Sequence, residues 1–250
     1  MKKIKTVLFH ISPLLVFWGI LESMELAIKV FRIPRYVLPS PYGALRYLFN
    51  NFGDMLPHIW KTTLQFLIGF PLGAFIGITL ALIFTINRLI NKAISPYIIV
   101  FICTPQLIMV PLLKMWVGFG IHVCIIAGAL SCFAIIMANT MTGVSMVPLE
   151  RLELMQSFKA SKWQTFFMMI IPSSLPSVFT GLKLGSIFSL TGIIGAELTG
   201  DTAGLGAMIL TMSELIRLER MFAYIFVLMI FGYAMYSIIC FLEAKLVKEE

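Results

Sequence analysis

The sequence predicts an all-α, polytopic membrane protein. Of its 250 residues, 59% are hydrophobic and only 12% are charged. A soluble domain of this length carries about twice that share of charge. The apolar residues also run in blocks near the ~20 needed to cross a bilayer, longer than the buried stripe of a soluble helix. In hydrocarbon every backbone amide must be paired within the protein, and a continuous helix does this with its own carbonyls.

Six spans are expected. The first covers about Val7 to Ile28, the second Ile59 to Ile86, the third Pro96 to Val117 and the fourth Ile121 to Thr142. The fifth runs from Ser177 to about Leu198 and the sixth from Met221 to Leu242. MKKIK followed by an apolar run has the opening of a signal peptide, yet it lacks a small-residue cleavage site and continues into Glu22 and Glu25. It reads as a first span that stays in place. With the N-terminus inside, the inner connections hold Lys2, Lys3, Lys5, Arg88, Lys92, Arg151, Lys159, Lys162, Lys245 and Lys248. The outer ones hold Lys29, Arg32, Arg35, Arg46, Lys61, Arg217 and Arg220, a bias that places both termini in the cytoplasm.

A net charge of +7 raises the question of nucleic acid, but the Lys and Arg are scattered between apolar blocks and form no stripe. Cys103, Cys124, Cys132 and Cys240 lie within apolar segments without metal spacing and read as reduced structural thiols. His10, His58 and His122 are isolated, and no nucleophile–base arrangement is visible, so neither a catalytic nor a metal site is expected. No GxxxxGK[ST] loop is present, so this chain is expected to bind no nucleotide cofactor.

Two connections differ from short loops. Phe31 to Leu56 begins as extended Pro-rich chain and becomes amphipathic after Pro41, with Leu45, Leu48, Phe49 and Phe52 at helical spacing. That spacing predicts a short helix in the outer interface. The second is VPLERLELMQSFKASKWQTFFMMIIPSSLP, from Val147 to Pro176. It predicts two short helices with a turn at Ala160–Ser161. Trp163, Phe166, Phe167 and Ile170 form one apolar face, and Pro172 and Pro176 end the pattern.

Within the spans, Gly69, Gly73 and Gly77 form a small-residue ridge, expected to pack helices inside the subunit or at a homodimer seam. Pro105 and Pro111 are expected to kink the third span. Lys183 is expected to snorkel to the inner surface. Lys114 stands six residues before Gly120, about 9 Å deep on a straight helix at ~1.5 Å per residue. There it faces either the path, favouring an anionic solute, or the outer headgroups. Gln65, Gln106, Asn139 and Thr140 are candidates to bond a polar solute or another helix. Trp18, Trp60, Trp116 and Trp163 read largely as interfacial anchors.

ELMQSFKASKWQTFFMMIIPSSLP resembles the cytoplasmic EAA loop of binding-protein-dependent ABC permeases. Glu153 falls on the glutamate of that loop, Ala160 and Ser161 on its A-S pair, and Trp163, Phe166 and Pro172 on their counterparts. Leu154 and Met155 replace its two alanines, and Lys159 stands at the hallmark glycine, which implies a small strain or a different turn there. LPSP at Leu38–Pro41 is similar to the nitrate/sulfonate/taurine-type subfamily. So are the segment through Pro105, Pro111, Leu112, Trp116, Gly118 and Gly120, and the run GLKLGSIFSLTGIIGAEL. The resemblance extends over nearly all 250 residues as one permease domain.

It implies the type I ABC importer permease fold in a bacterial inner membrane. Glu153, Lys159, Ala160, Ser161, Lys162, Trp163, Phe166 and Pro172 become a coupling loop for a separate ATPase. The implied partners are two ATPase copies carrying ATP and Mg, an extracytoplasmic substrate-binding protein and a second copy of this chain. The candidate path residues are Lys114, Gln65, Gln106 and Glu197, the last on the family's glutamate at the outer end of the fifth span. The solutes implied are nitrate, sulfonates or taurine, with vitamins or their precursors as the alternative. A secondary transporter is disfavoured because no repeat is visible.

Overall fold

The computed structural model describes residues 2–200 and 202–247, and the side chains of these except 2–14 and 88. Lys248 of the inner set therefore lies outside the described residues, as do the side chains of Lys2, Lys3, Lys5, His10 and Arg88. The elements are α1 (Lys2–Val30), α2 (Pro41–Asn50), α3 (Phe52–Thr85), α4 (Arg88–Cys103), α5 (Gln106–Val117) and α6 (Ile121–Ser145). These are followed by α7 (Leu149–Ser157), α8 (Lys162–Thr165), a π turn (Phe166–Ile170), α9 (Ile171–Glu197), α10 (Leu205–Glu214) and α11 (Leu218–Leu246).

Among the described residues, four stretches are long and apolar enough to cross a bilayer: Phe52–Thr85, Ile121–Ser145, Lys162–Glu197 and Leu218–Leu246. Counting α4 and α5 as one broken span makes five. The centre is α6, held between α3 and α9. Without a hydrophobic drive between helices in lipid, close van der Waals approach holds them together, and that needs small residues. A methyl on Gly69 would stand 2.7 Å from the Ile125 carbonyl oxygen, and on Gly77 2.5 Å from that of Phe133. Gly73 faces Ala129 and Cys132 in the same way. The ridge thus packs on α6 of its own chain. On the other flank Gly181 and Gly185 of α9 rest on Ile136.

The third span is not one rod. It breaks at Thr104–Pro105, and the helices on either side meet at 92°. Proline forces Thr104 into extended backbone (φ −72°, ψ 123°), which ends α4. Pro111, by contrast, sits inside α5 without breaking it. The expectation for the fifth span is also corrected. Pro172 and Pro176 do not end the preceding helix, because Lys162–Glu197 is a continuous helical stretch of 36 residues. A proline ring would press on the carbonyl four residues back; here the turn before Pro172 widens into a π turn, with Ile171 N–H donating to Phe166.

The short helix expected after Pro41 exists, but its buried face is turned. Ser40 caps it by accepting from Gly43 N–H (3.1 Å), and Pro41, Ala44 and Leu48 are its buried residues. Phe49 and Phe52 point outward. α2 packs on α11, and Gly43 leaves room for the Glu219 carboxylate, which Arg35 meets at 3.4 Å. Glu22 and Glu25, the two acids within α1, receive Tyr42 Oη–H and Ser40 Oγ–H and so tie α1 to this end.

Candidate functional site: a polar–aromatic hairpin, a buried glutamate and a cavity at a broken span

The α7–α8 hairpin is specified by four hydrogen bonds. Lys159 takes the left-handed conformation (φ 52°), so the glycine-type turn is kept without glycine. Its N–H donates to Gln156 O (2.8 Å), and that of Ala160 to Met155 O (3.0 Å), closing the last turn of α7. Ser161 then opens α8 with a capping box: its Oγ accepts from Gln164 N–H (3.2 Å), and its N–H donates to Gln164 Oε1 (2.7 Å).

The hairpin brings Glu153, Lys159, Ser161 and Lys162 to the surface, with Ala160 half-buried between them. Trp163 is 72% exposed, stacks on Phe167 at 6.0 Å and meets Phe166 edge-on at 6.5 Å. Phe158, Leu154 and Met168 are exposed beside them. Of the expected apolar face, Trp163 and Phe167 are exposed while Phe166 and Ile170 are half-buried, which leaves an aromatic patch rimmed by charge.

Glu197 ends α9 and is fully buried. Its Oε1 accepts from Thr62 Oγ1–H (2.8 Å) and its Oε2 from Gly206 N–H (2.7 Å). Thr62 Oγ1 in turn accepts from Leu205 N–H (2.9 Å). The carboxylate and the hydroxyl together satisfy the first two amides of α10, where the helix dipole favours negative charge. Glu197 thus joins α3, α9 and α10, and its partners are hydroxyl and amide groups. Gly204 and Gly206 let the carboxylate sit against the helix start.

A cavity of about 590 Å³ opens where α4 breaks from α5, walled by α6, α9 and Leu228 of α11. Gln106 lines it, and its Nε2–H donates to Thr104 O (3.2 Å) and to Phe101 O (3.3 Å), the latter shared with Thr104 N–H. Lys114 lies elsewhere. Its ammonium donates to Thr199 O (3.4 Å) and stands 5.6 Å above the Phe119 ring. The 9 Å depth assumed an axis continuing along α4, and the 92° bend removes that premise. A smaller cavity of about 250 Å³ is lined by Lys61, Gln65, Gly120, Ile121, Thr202 and Ala203.

Lys183 pairs with Glu243 of α11 at 2.8 Å instead of reaching outward. Asn139 and Thr140 donate to carbonyls of their own helix. Sequence reasoning missed Thr62 and Glu243. Each is an ordinary residue whose partner is set by helix packing, and no local signal marks it. Among the described residues no cluster of three His, Cys, Asp or Glu forms a metal site.

A multi-pass helical bundle with a protruding polar–aromatic hairpin and cavities among its spans defines the class of membrane transport subunits. Residues 69–248 match the family described as binding-protein-dependent transport system inner membrane component. The chain belongs to this family, and permeases named for aliphatic sulfonates, taurine and nitrate are among the proteins it is similar to.

It is 25% identical over 226 residues to a probable ABC transporter permease of Haemophilus influenzae, covering 90% of this chain and 92% of the relative. It is 27% identical over 223 residues to the formylaminopyrimidine transport permease ThiX of Halalkalibacterium halodurans, covering 89% of each. Taurine transport permease TauC of Escherichia coli is 25% identical over 93% of this chain and 82% of its own length. The fold matches a chain of the inward-facing MetNI methionine ABC transporter (TM-score 0.67, 15% identity, 78% of this chain and 96% of that one).

Proposed function

We propose that the chain, as a single domain over residues 1–250 with six spans and cytoplasmic termini, is the path-forming subunit of an ATP-driven importer. α1 supplies the first span and the broken α4–α5 pair the third. Two copies assemble with two ATPase subunits, which carry ATP and Mg and perform all hydrolysis, and an extracytoplasmic binding protein delivers the solute. The observation that carries this reading is the continuous stretch Lys162–Glu197. It joins the docking hairpin to the buried Glu197 cluster with one rod, about 54 Å long at ~1.5 Å per residue. Packed along α6, such a rod moves as a unit. Closure of an ATPase dimer on Glu153, Ala160 and Trp163 would therefore shift α10 and the outer ends of α3 and α9 together. ATP biases the two arrangements through its different affinity for each.

The proposed solute is small and anionic, of the nitrate, sulfonate or taurine kind, with a vitamin or vitamin precursor as the alternative. Lys114, which donates to Thr199 O, stands over Phe119 and lines neither cavity described above, adds no support to the anionic choice.

The test is affinity purification of the tagged chain from gently solubilised membranes, with mass spectrometry of its companions. The expected result is a P-loop ATPase with the wild-type chain and its loss with Glu153→Arg, while the variant still elutes as a folded protein. Recovery of no ATPase in several mild detergents would sink the coupling role and return a secondary transporter to first place.

A further inference from the structure

Lys159, at the tip of the α7–α8 hairpin, combines a strained backbone with an exposed charge. Its φ is 52°, in the left-handed region where glycine makes the same turn without a Cβ penalty. Its side chain is exposed, and among the described residues no carboxylate pairs with it. The hydrogen bonds that close the turn use its backbone alone. The fold therefore gains nothing from a side chain at this position. Backbone strain without an internal return collects where a chain meets a ligand or a partner.

The surroundings say what kind of partner. Phe158, the preceding residue, is 74% exposed, and Trp163 stands open beyond the turn. The exposed charges are ordered along the hairpin, with Glu150 and Glu153 on α7, Lys159 at the turn and Lys162 opening α8. Arg151 is the one cation within the acidic part. A lipid surface is a poor match for this pattern. Anionic headgroups are held by clusters of about four to eight basic residues, whereas here three cations are offset by two carboxylates. An ordered run of both signs beside an apolar anchor fits a shaped protein surface.

We propose that Lys159 determines which ATPase this chain accepts. The groove that receives the hairpin carries a carboxylate side chain at its rim opposite Lys159, beside an apolar pocket that takes Phe158. An ATPase with a basic residue at that place is rejected by like charge, and one with a neutral residue binds more weakly. The inference rests on the permease reading above and names the chemistry of the partner surface.

The test adds the ATPase recovered with the wild-type chain back to the full chain in nanodiscs and reads the Kd by biolayer interferometry. Discs of phosphatidylcholine alone are compared with discs that also hold phosphatidylglycerol. Lys159→Gly should weaken binding about two- to fivefold at low salt, the size of one exposed ion pair. The deficit should fade as salt is raised, and the same variant should melt higher than the wild type. A merely structural role would move stability and binding in the same direction. Lys159→Arg should bind as the wild type does, and Lys159→Glu more weakly than Lys159→Gly. Reversing the carboxylates of the ATPase groove to lysine, one at a time, should restore binding to Lys159→Glu at a single position. Phe158→Ala should weaken binding at all salt concentrations.

Wild-type affinity in Lys159→Gly, a deficit insensitive to salt, or rescue by none of the carboxylate reversals would each overturn the proposal. A deficit seen only with phosphatidylglycerol would overturn it as well, by making the headgroup the partner. These outcomes leave the permease reading standing, because the wild-type chain still brings down its ATPase. Failure to recover any ATPase with the wild type removes the permease reading and this inference with it.

Discussion

Lys159 shows how one residue carries strain for the sake of a turn. A side chain in the left-handed region costs about 1–2 kcal/mol relative to glycine, and the two closing hydrogen bonds hold it there. Lys159→Gly should therefore raise the melting temperature in detergent by a few degrees, and a fall would show that the lysine makes a compensating contact. Arg32 and Ile216 take the same conformation at the ends of α1 and α10. Ile216 is the sharpest of the three because its branched Cβ crowds the backbone most. Glu197 shows the reverse case, a costly group made safe by its partners. Glu197→Leu would orphan Thr62 Oγ1–H and Gly206 N–H, at about 1–3 kcal/mol each. Glu197→Gln keeps an acceptor for one of them and should destabilise less. Thermal unfolding of the two variants side by side checks the ranking.

At the scale of elements, backbone proximity decides most of what can change. Gly73 faces the Ala129 carbonyl oxygen at 2.5 Å for an added methyl. Gly73→Val should force α3 away from α6 and cost at least about 1–3 kcal/mol, seen as lower yield and melting temperature. Gly19 and Gly53, where an added Cβ meets nothing, should accept alanine without loss. The π turn is a second element-level device. Pro172→Ala removes the ring that keeps the turn before it wide, and an ordinary α turn would rotate the hairpin about the axis of α9. The expected outcome is a folded permease whose partner ATPase responds less to loaded binding protein. Unchanged stimulation would show that the π turn has no part in coupling.

Across the whole molecule, the α8–α9 stretch is tied at both ends and along one side. The hairpin stands at one end, Glu197 is bonded at the other, and Lys183–Glu243 fastens it to α11. That pair is about three-quarters shielded, with side chains 22% and 25% exposed. A double-mutant cycle of Lys183→Met and Glu243→Gln should give a coupling of about 1 kcal/mol, and a value near zero would leave the rod unattached to α11. Residues joined in this way are distant in the chain but belong to one packed unit, the kind of contiguous network through which distant sites couple.

The sequence by itself determined the class, the helical hairpin between Val147 and Pro176 and the small-residue ridge, because hydropathy, periodicity and turn chemistry are local properties. It also marked Pro105 as a place of bending, although not that the bend would reach 92°. Only the tertiary structure decided which helix Gly69, Gly73 and Gly77 touch, which face α2 buries, and what Glu197, Lys183 and Lys114 contact. Thr62 lies 135 residues from Glu197. Such pairings come from how helices cross in three dimensions, and in a chain this uniformly apolar many crossings share one hydropathy pattern.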